Sequence, residues 1–216
     1  MRTGLIRKDF ILLSQSFRFI GGTMGFLILF FWISGSAGAI LMVPMMMAML
    51  LSISAFTFDK QSKWDQYLTV LPVDAQTIVA SRYIFALLTW AGSMLVAFLF
   101  VLLIRLRSAT MQVSGVEIFG FLEVTIIGFA VLLALAISLP LIYRFGAEKG
   151  RLILLVVFLG PSMLISLSST MDLSVPTWLS GLPSGRLAVF LGILAIAALA
   201  ASFPLSVRFY RKLDKF

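Results

Sequence analysis

The sequence predicts an all-α integral membrane protein. The expected architecture is six transmembrane helices, an N-terminal interfacial helix before them, and a short cytoplasmic surface helix between spans two and three. Three observations predict this. Of 216 residues, 61% are hydrophobic and 12% charged, whereas a soluble domain is nearer ~45–50% apolar. The apolar residues gather in runs long enough to cross a hydrocarbon core of ~30 Å. The charges lie between those runs, and the basic ones are unevenly shared between the two sides. Only Arg105, Arg107 and Arg186 fall on one side; the other fourteen Lys and Arg fall on the opposite side. By the positive-inside rule, the rich side is cytoplasmic, and both termini lie there. The formal charge of +8 is therefore a statement of topology and anionic-lipid contact, with no nucleic-acid partner implied.

Taken in order, residues 1–18 place Ile6, Phe10, Leu13 and Phe17 on one stripe, with Arg7, Ser14 and Arg18 off it. That is the pattern of an interfacial helix, and it makes a poor signal peptide, so the segment is expected to be retained. The first span, 19–35, carries Gly21, Gly22 and Gly25. Gly21 with Gly25 forms a small-xxx-small pair that admits close backbone approach, either within the subunit or at a dimer interface. The second span, 39–58, contains Pro44 and the run Met45, Met46, Met47 and Met49. Flexible thioethers suit both gap-filling in a core and a greasy substrate surface.

Between spans two and three lies the chain's main polar interruption, residues 58–83. Ser62 is expected to cap a short helix, with Asp65 three residues on. Trp64, Tyr67, Leu68 and Leu71 recur along one face, while Lys63, Asp65 and Gln66 lie off it. Pro72 ends this helix, and Asp74 is placed to cap the next one. That third spanning helix, 75–104, is ~45 Å long at 1.5 Å per residue, so its first turns should protrude beyond the bilayer core.

Residues 105–116 read as a polar loop and 117–143 as the fourth span, with Pro140 near its end. Counting back from Arg144 puts Glu123 ~31 Å away, at the opposite boundary and within reach of Arg105 or Arg107. A short polar loop, 144–151, precedes the fifth span. There Gly160-Pro161 falls ~15 Å deep, near midplane, as a candidate gating hinge beyond which the chain either kinks or turns back. Residues 168–185 form a polar-aromatic extracellular loop, and 186–207 the last span. The whole chain, 1–216, is one transmembrane domain.

The inventory excludes much chemistry. Without Cys or His there is no disulfide, no thiolate nucleophile, no Ser-His-Asp triad and no usual zinc ligand set, so no catalytic or metal residue is assigned. The GAEKGR loop lacks the spacing of a phosphate-cradling loop, and LSGLPSG falls on the outer side. The cytoplasmic pieces are too short for a nucleotide-binding domain, which needs well over ~50 residues.

The order of these parts, with DKQSKWDQYLTVLPV followed by IVASRY and later YRFGAEKGR, resembles the six-span permeases of type-2 ATP-binding-cassette exporters. The likeness is to the small bacterial branch that includes the phenol-soluble modulin exporter permeases. It implies that the helix between spans two and three is a coupling helix docking on a separate ABC ATPase, which binds ATP and Mg²⁺. It also implies a unit of two permeases, a homodimer or a heterodimer with a similar permease, and two ATPases in the bacterial cytoplasmic membrane. The likeness assigns Asp59, Lys63, Trp64, Asp65, Tyr67, Leu71 and Pro72, within a coupling region spanning 59–77, and Glu148 with Lys149 in the second cytoplasmic loop. This sequence departs from the family's usual basic residues at Asp74, Ala75 and Gln76, which bears on the choice of ATPase. The acids mixed among the bases favour docking over a pure lipid-headgroup anchor, which should be acid-poor. The competing functions are an ATP-independent secondary transporter, for which midplane charges are missing, and a structural membrane subunit. The substrates expected of an exporter here are amphipathic peptides or other hydrophobic molecules.

Overall fold

A computed structural model describes residues 21–23, 25–29, 33, 37–62, 74–111, 120–146 and 183–213. Among these the regular structure is entirely helical. Four long helices stand out: α1 Ala37–Gln61, α2 Ala75–Met111, α3 Phe121–Phe145 and α4 Ser184–Leu213. Each is long and apolar enough to cross a membrane. The expected first span contributes helical residues at 21–23, 25–29 and 33. The interfacial helix, the coupling helix, the fifth span with Gly160 and Pro161, and most of the 168–185 loop lie outside the described residues.

α1 packs most extensively on α2, and α3 on α4. α2 and α3 also touch each other and the far member of the other pair, while α1 and α4 do not meet among the described residues. α2 and α3 therefore each touch the other three helices and form the centre of this group. Contacts fix the directions. Asp59 near the end of α1 pairs with Arg82 near the start of α2, so those two helices are antiparallel. Tyr143 near the end of α3 meets Tyr210 near the end of α4, whereas Phe129 lies against Gly192 towards their starts. α3 and α4 are thus parallel. The chain leaves α3 at one end of the bundle and enters α4 at the other.

The core explains why these sequences pack. Met45, Met49 and Ile53 of α1 interlock with Met94, Ala97 and Val101 of α2 and with Val124, Val131 and Leu135 of α3. Met45 and Met49 are buried but Met42 and Met46 are exposed, as a helical stripe requires. The buried pair fills the core. A second cluster joins Val79, Tyr83 and Ala86 to Leu139, Tyr143 and Val207. α2 and α3 approach closely at Gly128, where an added Cβ would collide with the Met94 thioether. There the Trp90 indole N–H donates to the Gly128 carbonyl at 2.8 Å. Ser52 and Thr89 share a hydrogen bond of 3.1 Å between α1 and α2.

Several element bounds differ from expectation. α1 continues to Gln61, which puts Asp59 and Lys60 in its last turn and not in a loop. Ser62 donates its hydroxyl back to the carbonyls of Phe58 (2.8 Å) and Asp59 (3.2 Å), so it closes the preceding helix. α2 runs on to Met111, so Arg105 and Arg107 are helical and the polar loop is shorter. α3 begins after Gly120, later than expected, and α4 extends to Leu213, taking in most of the basic tail. These extensions share a cause. A helix that has left the hydrocarbon core still satisfies its own backbone, so change of polarity alone does not stop it. Pro44, Pro140 and Pro204 lie within α1, α3 and α4, which continue past them. Such prolines are tolerated in membrane helices because neighbouring groups take over the freed backbone bond.

Candidate functional site

One end of the bundle gathers the groups of interest. Lys60, Arg82, Arg144, Arg208 and Arg211 lie on the helix segments at this end, and Arg105 and Arg186 on those at the other. We call the first the basic end. Asp74 stands just before α2, and its carbonyl accepts the first helical bonds from Thr77 (2.8 Å) and Ile78 (3.2 Å). The helix thus starts where the sequence places it. Arg82 lies seven residues into α2, ~10 Å along its axis. It faces Asp59, which is two residues short of the end of α1. The opening turns of α2 therefore project past the end of α1.

Asp59 and Arg82 form a buried ion pair. The Arg82 guanidinium also lies over the Phe56 ring, 5.2 Å from its centroid. Phe56 and Asp59 are three residues apart and so share a face of α1, which presents an aromatic platform beside a carboxylate. A charge in this setting depends on its partner: removing one member of a buried pair typically costs ~3–5 kcal/mol, because the other is left uncompensated.

The neighbouring residue reaches the other way. The Tyr83 hydroxyl is 2.6 Å from Ser202 Oγ and 2.7 Å from Ser206 Oγ, both on α4. Its ring meets Phe203 edge-on at 5.5 Å. A second, aromatic route runs from Phe56 to Tyr143 (5.3 Å) and on to Tyr210 (6.0 Å). Arg144, in the last turn of α3, lies over Phe145 and Phe209. Gly146 then ends that helix with φ of +83°, its N–H donating to the Ile142 carbonyl at 2.8 Å. A Cβ placed on Gly146 would stand 3.8 Å from Lys60 Nζ. The end of α1 and the exit from α3 are neighbours.

Of the residues assigned from sequence, Asp59 is buried and turned into the bundle, paired with Arg82. Lys63, Trp64, Asp65, Tyr67, Leu71 and Pro72 lie outside the described residues, as do Glu148 and Lys149. The described residues that flank both segments lie together at the basic end. Gly21, Gly22 and Gly25 are exposed, and among the described residues a Cβ on any of them would find nothing within 4 Å. Glu123 sits exposed in the first turn of α3, at the end opposite Arg144. Its Oε2 and Arg105 Nη2 both approach Gly120, at 2.5 and 3.7 Å from where its Cβ would be. Sequence reasoning missed Arg82, Tyr83, Ser202 and Ser206. The available signals were an arginine inside an apolar helix, which demands a partner, and two serines four residues apart on one helix face. Among the described residues no acidic cluster could hold a metal ion.

A family model described as ABC-2 family transporter protein matches residues 4–211. The chain belongs to that family. It is therefore a multi-pass membrane protein and a permease component of an ABC transporter, a family whose permeases partner with an ABC ATPase. Neither the search of curated proteins nor that of solved structures gave a match. In an ABC-2 permease the basic end matters because the segments between α1 and α2, and after α3, both emerge from it.

Proposed function

We propose that this ABC-2 permease is the membrane subunit of an ATP-driven exporter in the bacterial cytoplasmic membrane. It crosses the membrane six times with both termini in the cytoplasm. Two permeases and two ATPases form the unit, with ATP and Mg²⁺ held by the ATPase. The segment 62–74, carrying Lys63, Trp64, Asp65, Tyr67, Leu71 and Pro72, docks on the ATPase beside Glu148 and Lys149. Gly21, Gly22 and Gly25 contribute to the contact between permeases, and Gly160-Pro161 acts as the gating hinge. The substrates are amphipathic peptides or other hydrophobic molecules, a reading supported by the likeness to phenol-soluble modulin exporter permeases.

One observation carries this reading: the flanks of the two expected docking segments are neighbours, Lys60 reaching Gly146 at the exit of α3. A single ATPase surface can engage both. The segregation of described basic residues to the same end supports the orientation. The test is retention of the ATPase by the purified permease, compared between wild type and Trp64→Ala in identical membranes. A docked aromatic contributes roughly 2–3 kcal/mol through burial, so retention should fall at least tenfold while membrane insertion is unchanged. Equal retention and equal coupled ATP turnover in both would refute docking through Trp64.

A further inference from the structure

We infer that Asp59, Arg82 and Tyr83 form a clamp that passes movement of the coupling segment from α1 to α4, so that Asp59 and Arg82 act as positioning residues and not as docking contacts. This deepens the exporter reading and rests on it. The segment 62–74 joins the end of α1 to the start of α2 in the chain, and the Asp59–Arg82 pair ties those two flanks together inside the bundle. A load on the segment therefore reaches α1 and α2 as one body. α1 and α4 do not touch among the described residues, yet α4 is bonded to the residue next to Arg82. Consecutive helical residues point ~100° apart, so Arg82 and Tyr83 address different neighbours from one turn of α2. Arg82 goes to Asp59 and Phe56, and Tyr83 to Ser202 and Ser206.

The chemistry suits transmission. The ion pair is buried, so solvent screens it little, and it resists separation. The tyrosine accepts from one serine while donating to the other, or takes bonds in the reverse sense, so α4 is held at two points one turn apart. The aromatic route through Tyr143 and Tyr210 bypasses α2 and carries no charge; it keeps the ends packed but cannot fix polarity or register as the clamp does.

The experiment uses the full chain with its ATPase in nanodiscs. The chain contains no cysteine, so a spin label on Arg208→Cys, exposed on α4, reports that helix alone. In wild type, ATP with vanadate is expected to shift the label's spectrum. In Asp59→Asn and in Tyr83→Phe the ATPase should remain bound but the shift should be lost. The exchange Asp59→Arg with Arg82→Asp should restore it. A full shift in either single variant overturns the clamp, as does the absence of a shift in wild type. Loss of the ATPase from Asp59→Asn overturns it too, by making Asp59 a docking contact. If Asp59→Asn does not fold, Tyr83→Phe decides, because it removes one hydroxyl and keeps the ring. Failure of wild type to retain any ATPase would overturn the exporter reading and the clamp with it, and is told apart by that first step.

Discussion

Replacing Tyr83 by Phe isolates the contribution of two hydrogen bonds. The ring is buried and stays against Phe203, so packing is preserved and only the hydroxyl is lost. Interhelical hydrogen bonds within membranes average about 0.6 kcal/mol and reach about 1.7. Two bonds of 2.6 and 2.7 Å would sum to roughly 1–3 kcal/mol on that scale. Ser202 and Ser206 can turn their hydroxyls back to carbonyls one turn earlier, which offsets part of the loss. The expected destabilisation is therefore about 1–2 kcal/mol, a factor of about 5–30 in the folding equilibrium. Unfolding would be titrated in mixed micelles and followed by helical circular dichroism, with Ser202→Ala, Ser206→Ala and the combined variants completing a double-mutant cycle. The coupling should vanish when both serines are replaced. A Tyr83→Phe variant within about 0.3 kcal/mol of wild type, or a coupling energy indistinguishable from zero, would show that these bonds contribute nothing to helix association.

Two further outcomes follow from the glycines. Gly128→Leu should cost about 1–3 kcal/mol by overpacking, because an added Cβ there collides with Met94, whereas Gly92→Leu, with nothing within 4 Å among the described residues, should be neutral or stabilising in the same titration. Equal effects at both sites would contradict the close approach of α2 and α3. Combined Gly21→Leu and Gly25→Leu should shift the permease towards monomer by native mass spectrometry in nanodiscs, since among the described residues nothing packs on these positions. An unchanged oligomer mass would remove them from the interface.

The helical class, the four described long helices and the segregation of charge were legible in the sequence, because hydropathy and basic asymmetry act over whole segments. The start of α2 was also legible, since Asp74 is a local signal read by the two residues after it. Helix ends elsewhere were not. α1 overran the expected boundary by carrying Asp59 into its last turn, where Arg82 from another helix compensates the buried charge. That compensation depends on residues 23 positions apart in the chain, beyond the reach of any local pattern. Glu123 was legible by counting residues from Arg144. The division of the methionines between core and exterior followed from period once the buried face was known. The direction of α4, parallel to α3, follows from the predicted topology, but the link from Tyr83 to Ser202 and Ser206 depends on α4 packing beside the start of α2, a tertiary fact with no sequence signature.

That parallel arrangement has an electrostatic consequence. Among the described helices, α1, α3 and α4 all finish at the basic end and only α2 begins there. Each finishing helix carries a dipole end equivalent to about half a negative charge, and each starting helix about half a positive one. Across these four helices the sum is roughly one negative unit of partial charge at this end. Lys60, Arg144, Arg208 and Arg211 lie near those finishing ends. A cation beside a finishing helix end is favoured by the helix dipole, so these residues stabilise the ends they sit on as well as setting the orientation of the chain.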